Sequence, residues 1–231
     1  RRSSDLLLAR RSNRVKMHLS RKDSTTADAD IIRRRWFPVD IDPVRPGGVS
    51  STDEEHEKAL KKAEQVAGWL KDQGFPEPVR ADSGNGAHLL YRIDLANDET
   101  SRDLVQRCLA ALAERFSDST CTIDTAVSNA ARIWKLYGTV SRKGDATADR
   151  PHRRSRIIAV PDETGIVSIP LLKTLAARGK EQKPPERRSP KTKIYEDPQA
   201  PLDLDAWLRE HGIRVSTVKS WKGGRLFPLE E

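Results

Sequence analysis

WFPVDIDPVRP, residues 36–46, alternates Phe37, Val39 and Ile41 with Trp36, Pro38, Asp40 and Asp42, the two-residue period of a β-strand. The apolar set belongs on a core, which leaves both aspartates side by side on the opposite face. Trp36, beside the apolar run, is expected to pack. Downstream, PVRPGGVSS turns the chain, and Thr52 with Glu55 forms a capping box ahead of a helix whose inward stripe is Leu60, Ala63, Ala67 and Leu70, with Trp69 near the core and Gly74 at its end. EPVRADSGNGAHLLYRI, residues 77–93, reads as two strands joined by a Gly-Asn-Gly turn. In the second of them Leu89, Tyr91 and Ile93 face the core and His88, Leu90 and Arg92 face away.

A second helix is predicted over 98–116, with Leu104, Val105, Cys108, Leu109, Leu112 and Phe116 inward, followed by a strand over CTIDTAV that presents Asp124. NAARIWKLYGTVSRKG mixes a helical turn with a loop; SRIIAVP and GIVSIP read as strands, and IPLLKTLAARG as a short helix. Strands and helices alternate with no glycine fingerprint opening a helix, so the class is mixed α/β (α+β) without a dinucleotide-binding signature. A first domain is expected over 1–178 and a stiff, basic, proline-rich linker over 179–201, which holds five prolines. The tail over 202–231 begins with a short helix and is expected to open a further domain. Residue 1 is Arg and no signal-peptide pattern follows it, so residues are expected to precede it.

Composition narrows the classes. With 231 residues, 36% hydrophobic and 33% charged, the chain can bury its own core, and it has no apolar run of the roughly 18 to 20 residues that a membrane span needs. Cys108 and Cys121 lack metal-site spacing and are expected to be reduced thiols in a cytoplasmic protein. The net charge of +8 is unevenly spread: residues 1–35, 132–158 and 173–193 together carry +19 and the remainder −11. Basic blocks flanking acidic motifs suit a polyanion such as nucleic acid, because each phosphate neutralised releases counterions.

Two carboxylates two residues apart on a strand can share hard divalent cations, and Mg²⁺ is commonly held by one or two carboxylates plus substrate phosphates. Such a site suits phosphoryl or nucleotidyl transfer. In SGNGAHLLY, Gly84 and Gly86 let backbone N–H groups approach a phosphate across Asn85, Ser83 offers a hydroxyl, and His88 can donate to a phosphate oxygen. Asp124, on a later strand, is a candidate third ligand beside Asp40 and Asp42. Arg132, Lys135, Arg142 and Lys143 supply positive charge for phosphates or template; Trp134 is a weaker candidate for base stacking. His18, His56, His152 and His211 read as ordinary surface residues.

A D-x-D strand, then S-G-x-G-x-H, then a single Asp before an Arg- and Lys-rich stretch, together resemble the catalytic core of the archaeo-eukaryotic primase superfamily, and more narrowly the primase-polymerases of mobile elements, phages and plasmids. The resemblance covers about residues 30–160. It implies an RRM-like catalytic sheet packed against a second α/β module. It also implies Asp40, Asp42 and Asp124 as ligands of two Mg²⁺ or Mn²⁺ ions, and Ser83, Gly84, Asn85, Gly86 and His88, with Arg132 and Lys135, around an incoming NTP or dNTP. From serine to histidine the turn is one residue shorter than in cellular primase small subunits and lacks their basic residues, with Arg92, Arg132 and Lys135 as candidates to replace them. Arg33, Arg34, Arg35, Arg142, Lys143, Arg153 and Arg154 are then expected along a single-stranded DNA template, with a fused or associated helicase as a further partner. The expected activity is template-dependent nucleotidyl transfer. The alternatives are a gap-filling repair polymerase of the same superfamily and a non-catalytic nucleic-acid-binding replication module.

Overall fold

The computed structural model describes residues 26–179, 219–221 and 224–226. The chain divides into two compact units, Arg1–Pro184 and Pro185–Glu231. Within the second, β8 (Lys219–Trp221) and β9 (Gly224–Leu226) pair antiparallel, which the sequence reading did not foresee. The helix expected at the start of the tail, and the linker beyond Gly179, lie outside the described residues.

The first unit is built on β1 (Arg33–Pro43), α1 (Asp53–Asp72), β2 (Val79–Asp82), β3 (Ala87–Ala96), α2 (Glu99–Phe116) and β4 (Cys121–Ile123). The sheet order is β4-β1-β3-β2, extended at the β2 edge by β7 (Arg156–Ala159), and every pairing is antiparallel. This is a split β-α-β arrangement, α+β in class. Phe37, Val39 and Ile41 on β1 and Leu89, Tyr91 and Ile93 on β3 are fully buried against α1 and α2, where Val66, Leu70, Leu109 and Leu112 meet them. Phe75 packs edge-on to Tyr91 with ring centroids 5.7 Å apart. Among the described residues no helix is long and apolar enough to cross a membrane.

Local chemistry fixes the helices where their sequences predict. Thr52 Oγ1 accepts the Glu55 N–H at 3.1 Å while Glu55 Oε2 accepts the Thr52 N–H at 2.9 Å, closing the capping box. Asp98 caps α2 through the Ser101 N–H at 2.7 Å. The α1 stripe is Ala59, Ala63, Val66, Ala67 and Leu70, with Leu60 only half-buried and Trp69 partly buried against Phe116. Both cysteines are free and buried, and burial pushes the Cys108 thiol up to about 12, which keeps it protonated and inert.

Several expectations give way. GIVSIP is not a strand: Ile166 makes one isolated bridge with Arg92, and α3 (Ile169–Ala176) begins three residues later. The strand CTIDTAV ends at Ile123, because the Asp124 side chain accepts the Ala126 N–H at 2.8 Å and starts a short 3-10 helix, Thr125–Ser128. Within 129–144 no helix forms, and the chain makes isolated turns at 130–131 and 137–138. The described residues over 129–155 form a loop layer with one two-stranded ribbon, β5 (Val140–Ser141) with β6 (Arg153–Arg154). This layer lies over the sheet face opposite the helices, where His88 stacks near Trp134 with ring centroids 4.4 Å apart.

Candidate functional site

Asp40 turns its carbonyl outward to the Asp124 N–H at 2.9 Å, so opposite His88 it forms a non-hydrogen-bonded pair, the kind in which facing side chains stand closest. By the two-residue repeat Pro38 turns its nitrogen to that same outer edge, beyond the reach of β4, where no ladder bond is lost. Asp42 follows Asp40 on the open face. Beside them lies the turn Ser83–Gly86. Its Ser83 Oγ accepts the Gly86 N–H at 2.9 Å, which leaves the hydroxyl proton free for another acceptor. Gly84 has φ +91, and a Cβ there would come within 2.8 Å of the Arg153 carbonyl, so only glycine fits between the sheet and the loop layer.

The acid pair and the turn line one cavity of about 430 Å³. Asp40, Asp42, Ser83, Asn85 and His88 form its floor, and Arg132, Lys135 and Lys143 its opposite wall. Sequence reasoning missed Arg45, which also lines it and donates to Asp42 Oδ1 at 3.1 Å and the Pro43 carbonyl at 3.2 Å. Four cations against two carboxylates give the cavity a positive balance suited to a polyanion. Ile133 and Leu136, also on the wall, are 90% and 74% exposed, an apolar lip that an otherwise charged site does not need for its own stability.

His88 is held from the loop layer by Tyr137 and Trp134. Trp134 Nε1–H donates to Tyr137 Oη at 3.0 Å, and burial, with the Asp40 charge nearby, pushes the Tyr137 hydroxyl up to about 12 against the lowering effect of the Trp134 bond. Tyr137 therefore keeps its proton, and its Oη lies 2.8 Å from His88 Nδ1. His88 Nε2 stands 3.4 Å from Asp40 Oδ1, long for a hydrogen bond and within the cavity, where it can turn to a ligand oxygen.

Asp124 keeps its carboxylate outside the residues that line the cavity: Oδ1 caps the 3-10 helix and Oδ2 stands 3.4 Å from Arg132. Among the described residues no three of His, Cys, Asp and Glu gather closely enough to hold a metal ion by themselves. The donor set still fits a hard divalent cation that shares its coordination with substrate phosphates, for which Asp40 and Asp42 suffice.

The expected template arginines separate. Arg34 is buried on the helix face, donates to the Ser128 carbonyl at 2.6 Å and has its pKa lowered by burial, so it is a packing residue and not a template contact. Arg33 and Arg35 share Asp94 at 2.8 and 3.1 Å on the open face. Arg153 is taken up by Asp53 and the Ser51 carbonyl, and Arg154 donates to the Gly138 carbonyl, while Arg142 is exposed outside the cavity. Arg150 likewise clamps Glu55 at 2.8 and 3.0 Å.

His56 and Trp36 also depart from expectation. Trp36 is 42% exposed on the open face. The His56 side chain is only 12% exposed and its Nε2 lies 2.8 Å from the buried Asp82 Oδ1, which accepts the Gly84 N–H at 2.7 Å and so anchors the Ser83–Gly86 turn. Burial pushes the Asp82 carboxyl up, but the bonds from His56 and Gly84, with Arg156 nearby, outweigh it and hold it below the ordinary carboxylate value. A depressed folded pKa contributes stability above the unfolded value, about 3.9, which is lost as pH falls through the folded one. His56→Ala is therefore expected to cost about 1 to 3 kcal/mol at pH 7 by leaving a buried carboxylate oxygen short of a partner. Urea unfolding at pH 7 and pH 3 checks it: the deficit should shrink at the lower pH.

No family model matches the chain, and no curated protein or solved structure matches it either.

Proposed function

We propose that the chain is a template-dependent nucleotidyltransferase, a primase-polymerase of the archaeo-eukaryotic primase kind, acting on single-stranded DNA. One observation carries the reading: the acid pair of β1, the Ser83–Gly86 turn and His88 share a cavity with four cationic side chains, large enough for a nucleoside triphosphate. The antiparallel sheet order β4-β1-β3-β2 supports it, since an RRM-like catalytic sheet requires that order.

In the proposed reaction a 3′-hydroxyl oxygen of the growing strand, or of an initiating nucleotide, attacks the α-phosphorus. The new O–P bond forms as the bond to the β-phosphate oxygen breaks; pyrophosphate leaves and the hydroxyl proton passes to water. Asp40 and Asp42 would hold the divalent cations, whose chemistry when bound is to activate the attacking oxygen and neutralise the leaving one. The chain's own residues do the rest by position and charge. Ser83 Oγ–H and His88 Nε2–H donate to phosphate oxygens, and Arg45, Arg132, Lys135 and Lys143 balance the triphosphate. The apolar lip of Ile133 and Leu136 offers a dry surface to the base.

The test is incubation of the chain with an unprimed or primed single-stranded template, labelled NTP or dNTP, and Mg²⁺ or Mn²⁺. Incorporation that requires both template and divalent ion is the expected outcome. Template binding with no incorporation under any of these conditions would favour the non-catalytic module instead.

A further inference from the structure

Arg34 and Trp36 are two residues apart and would share a face in a regular strand. A register shift between them, in which β1 advances from Arg34 opposite Leu95 to Trp36 opposite Arg92, puts them on opposite faces. Arg34 goes to the core and Trp36 to the open face, in line with Pro38, Asp40 and Asp42. There the indole stands 42% exposed, and among the described residues it makes no ring contact and no hydrogen bond. Single exposed apolar residues are ordinary; what distinguishes this one is its company. Its cross-strand partner is Arg92, and Arg33 and Arg35 lie at the start of the same strand, with Asp94 the acid they share. An exposed ring beside Arg92, Arg33 and Arg35 fits a flat base on an anionic backbone.

We propose that Trp36, with Arg92 beside it, is a stacking platform for one base of single-stranded DNA. Arginine planes stack as aromatic rings do, and Arg33 and Arg35 supply charge for the adjoining phosphates. Trp36 and Asp40 are four residues apart, about 13 Å along a strand. At about 3.4 Å per stacked nucleotide the platform holds a base about four nucleotides from the acid pair. The DNA then runs along β1 and enters the cavity from the Trp36 end. That direction rests on the acid pair being the reacting centre; the platform itself does not.

The experiment measures fluorescence anisotropy of a labelled oligo-dT, without divalent ions or nucleotides, against wild type, Trp36→Phe and Trp36→Ala. Exposure of the ring predicts unchanged melting for both variants, checked first. Trp36→Ala should weaken single-strand binding about 5- to 150-fold, the range for loss of one stacked base, while Trp36→Phe keeps most of the affinity and duplex binding stays within about twofold. In oligonucleotides carrying one abasic site, the Trp36→Ala penalty should vanish at a single position. Equal affinity of wild type and Trp36→Ala, or an equal loss for duplex and single strand, would overturn the platform. Because the readout needs no chemistry, a Trp36 effect in a chain that never incorporates nucleotides would sink the enzyme reading and leave the platform standing, and the reverse result would do the opposite.

Discussion

Asp40→Asn is expected to abolish nucleotide incorporation, by at least about 10³-fold, in a protein that melts within a few degrees of wild type. The asymmetry follows from where the charge sits. Asp40 is partly exposed, faces His88 at 3.4 Å and is followed by Asp42 on the same face. Asparagine keeps the shape and a hydrogen-bond acceptor, and removes repulsion between neighbouring carboxylates, so the fold loses nothing it depends on. The proposed reaction loses one of two anionic ligands for the charge that organises the phosphates, a loss of several kcal/mol in the transition state at about 1.4 kcal/mol per factor of ten. Incorporation and melting should be measured on the same preparation. Activity within tenfold of wild type would remove Asp40 from the chemistry.

Gly86→Ala is expected to damage fold and site together. A Cβ at Gly86 would collide with the Ile41 carbonyl oxygen and come 3.3 Å from Asp42 Cα, and both belong to the central strand, which cannot yield without disturbing the core beneath it. The turn would have to lift off β1 at the point where Ile41 pairs with Ala87. Overpacking against backbone of this kind costs about 3 kcal/mol, or about 6 to 12 °C in melting temperature for a domain of this size. Thermal unfolding checks it, with Gly68→Ala as the control. Gly68 lies within α1, nothing stands within 4 Å of its missing Cβ, and alanine there should stabilise by about 0.5 to 1 kcal/mol. If Gly86→Ala melts with wild type, the turn is not held against β1 as described.

The two substitutions mark what a one-dimensional reading can reach. Asp40, Asp42 and His88 come together because strand period and hairpin pairing are both written in local sequence, as are the caps at Thr52 and Asp98. Arg34 does not follow from the same rule: nothing in three consecutive arginines announces the bulge that sends the middle one inward and leaves Trp36 outside. Asp124 is placed on a strand because its neighbours are β-branched, yet its own short side chain takes the Ala126 N–H and ends the strand at Ile123, four residues short of the expected end. Arg45, His56 and Arg150 belong to the cavity or its supports through bonds to the carboxylates of Asp42, Asp82 and Glu55, and such pairs have no period. The layer over 129–155 has little pattern because few of its bonds belong to regular structure.

That layer bears on how the protein breathes. Its ties to the rest are mostly side-chain bonds: Asn85 to Ser141 at 2.9 Å, Ser50 to the Lys143 carbonyl at 3.1 Å, Arg150 to Glu55, and Tyr137 to His88. The sheet beneath is held by ladders and a closed apolar core. Free energy of opening is therefore partitioned, with the wall of the cavity at the low end and β1 and β3 near the global value. If the proposed reading holds, a triphosphate seated between Asp40 and Lys143 should protect wall amides from hydrogen exchange while leaving those of the sheet unchanged, closing by mass action the seam between the loop layer and the sheet.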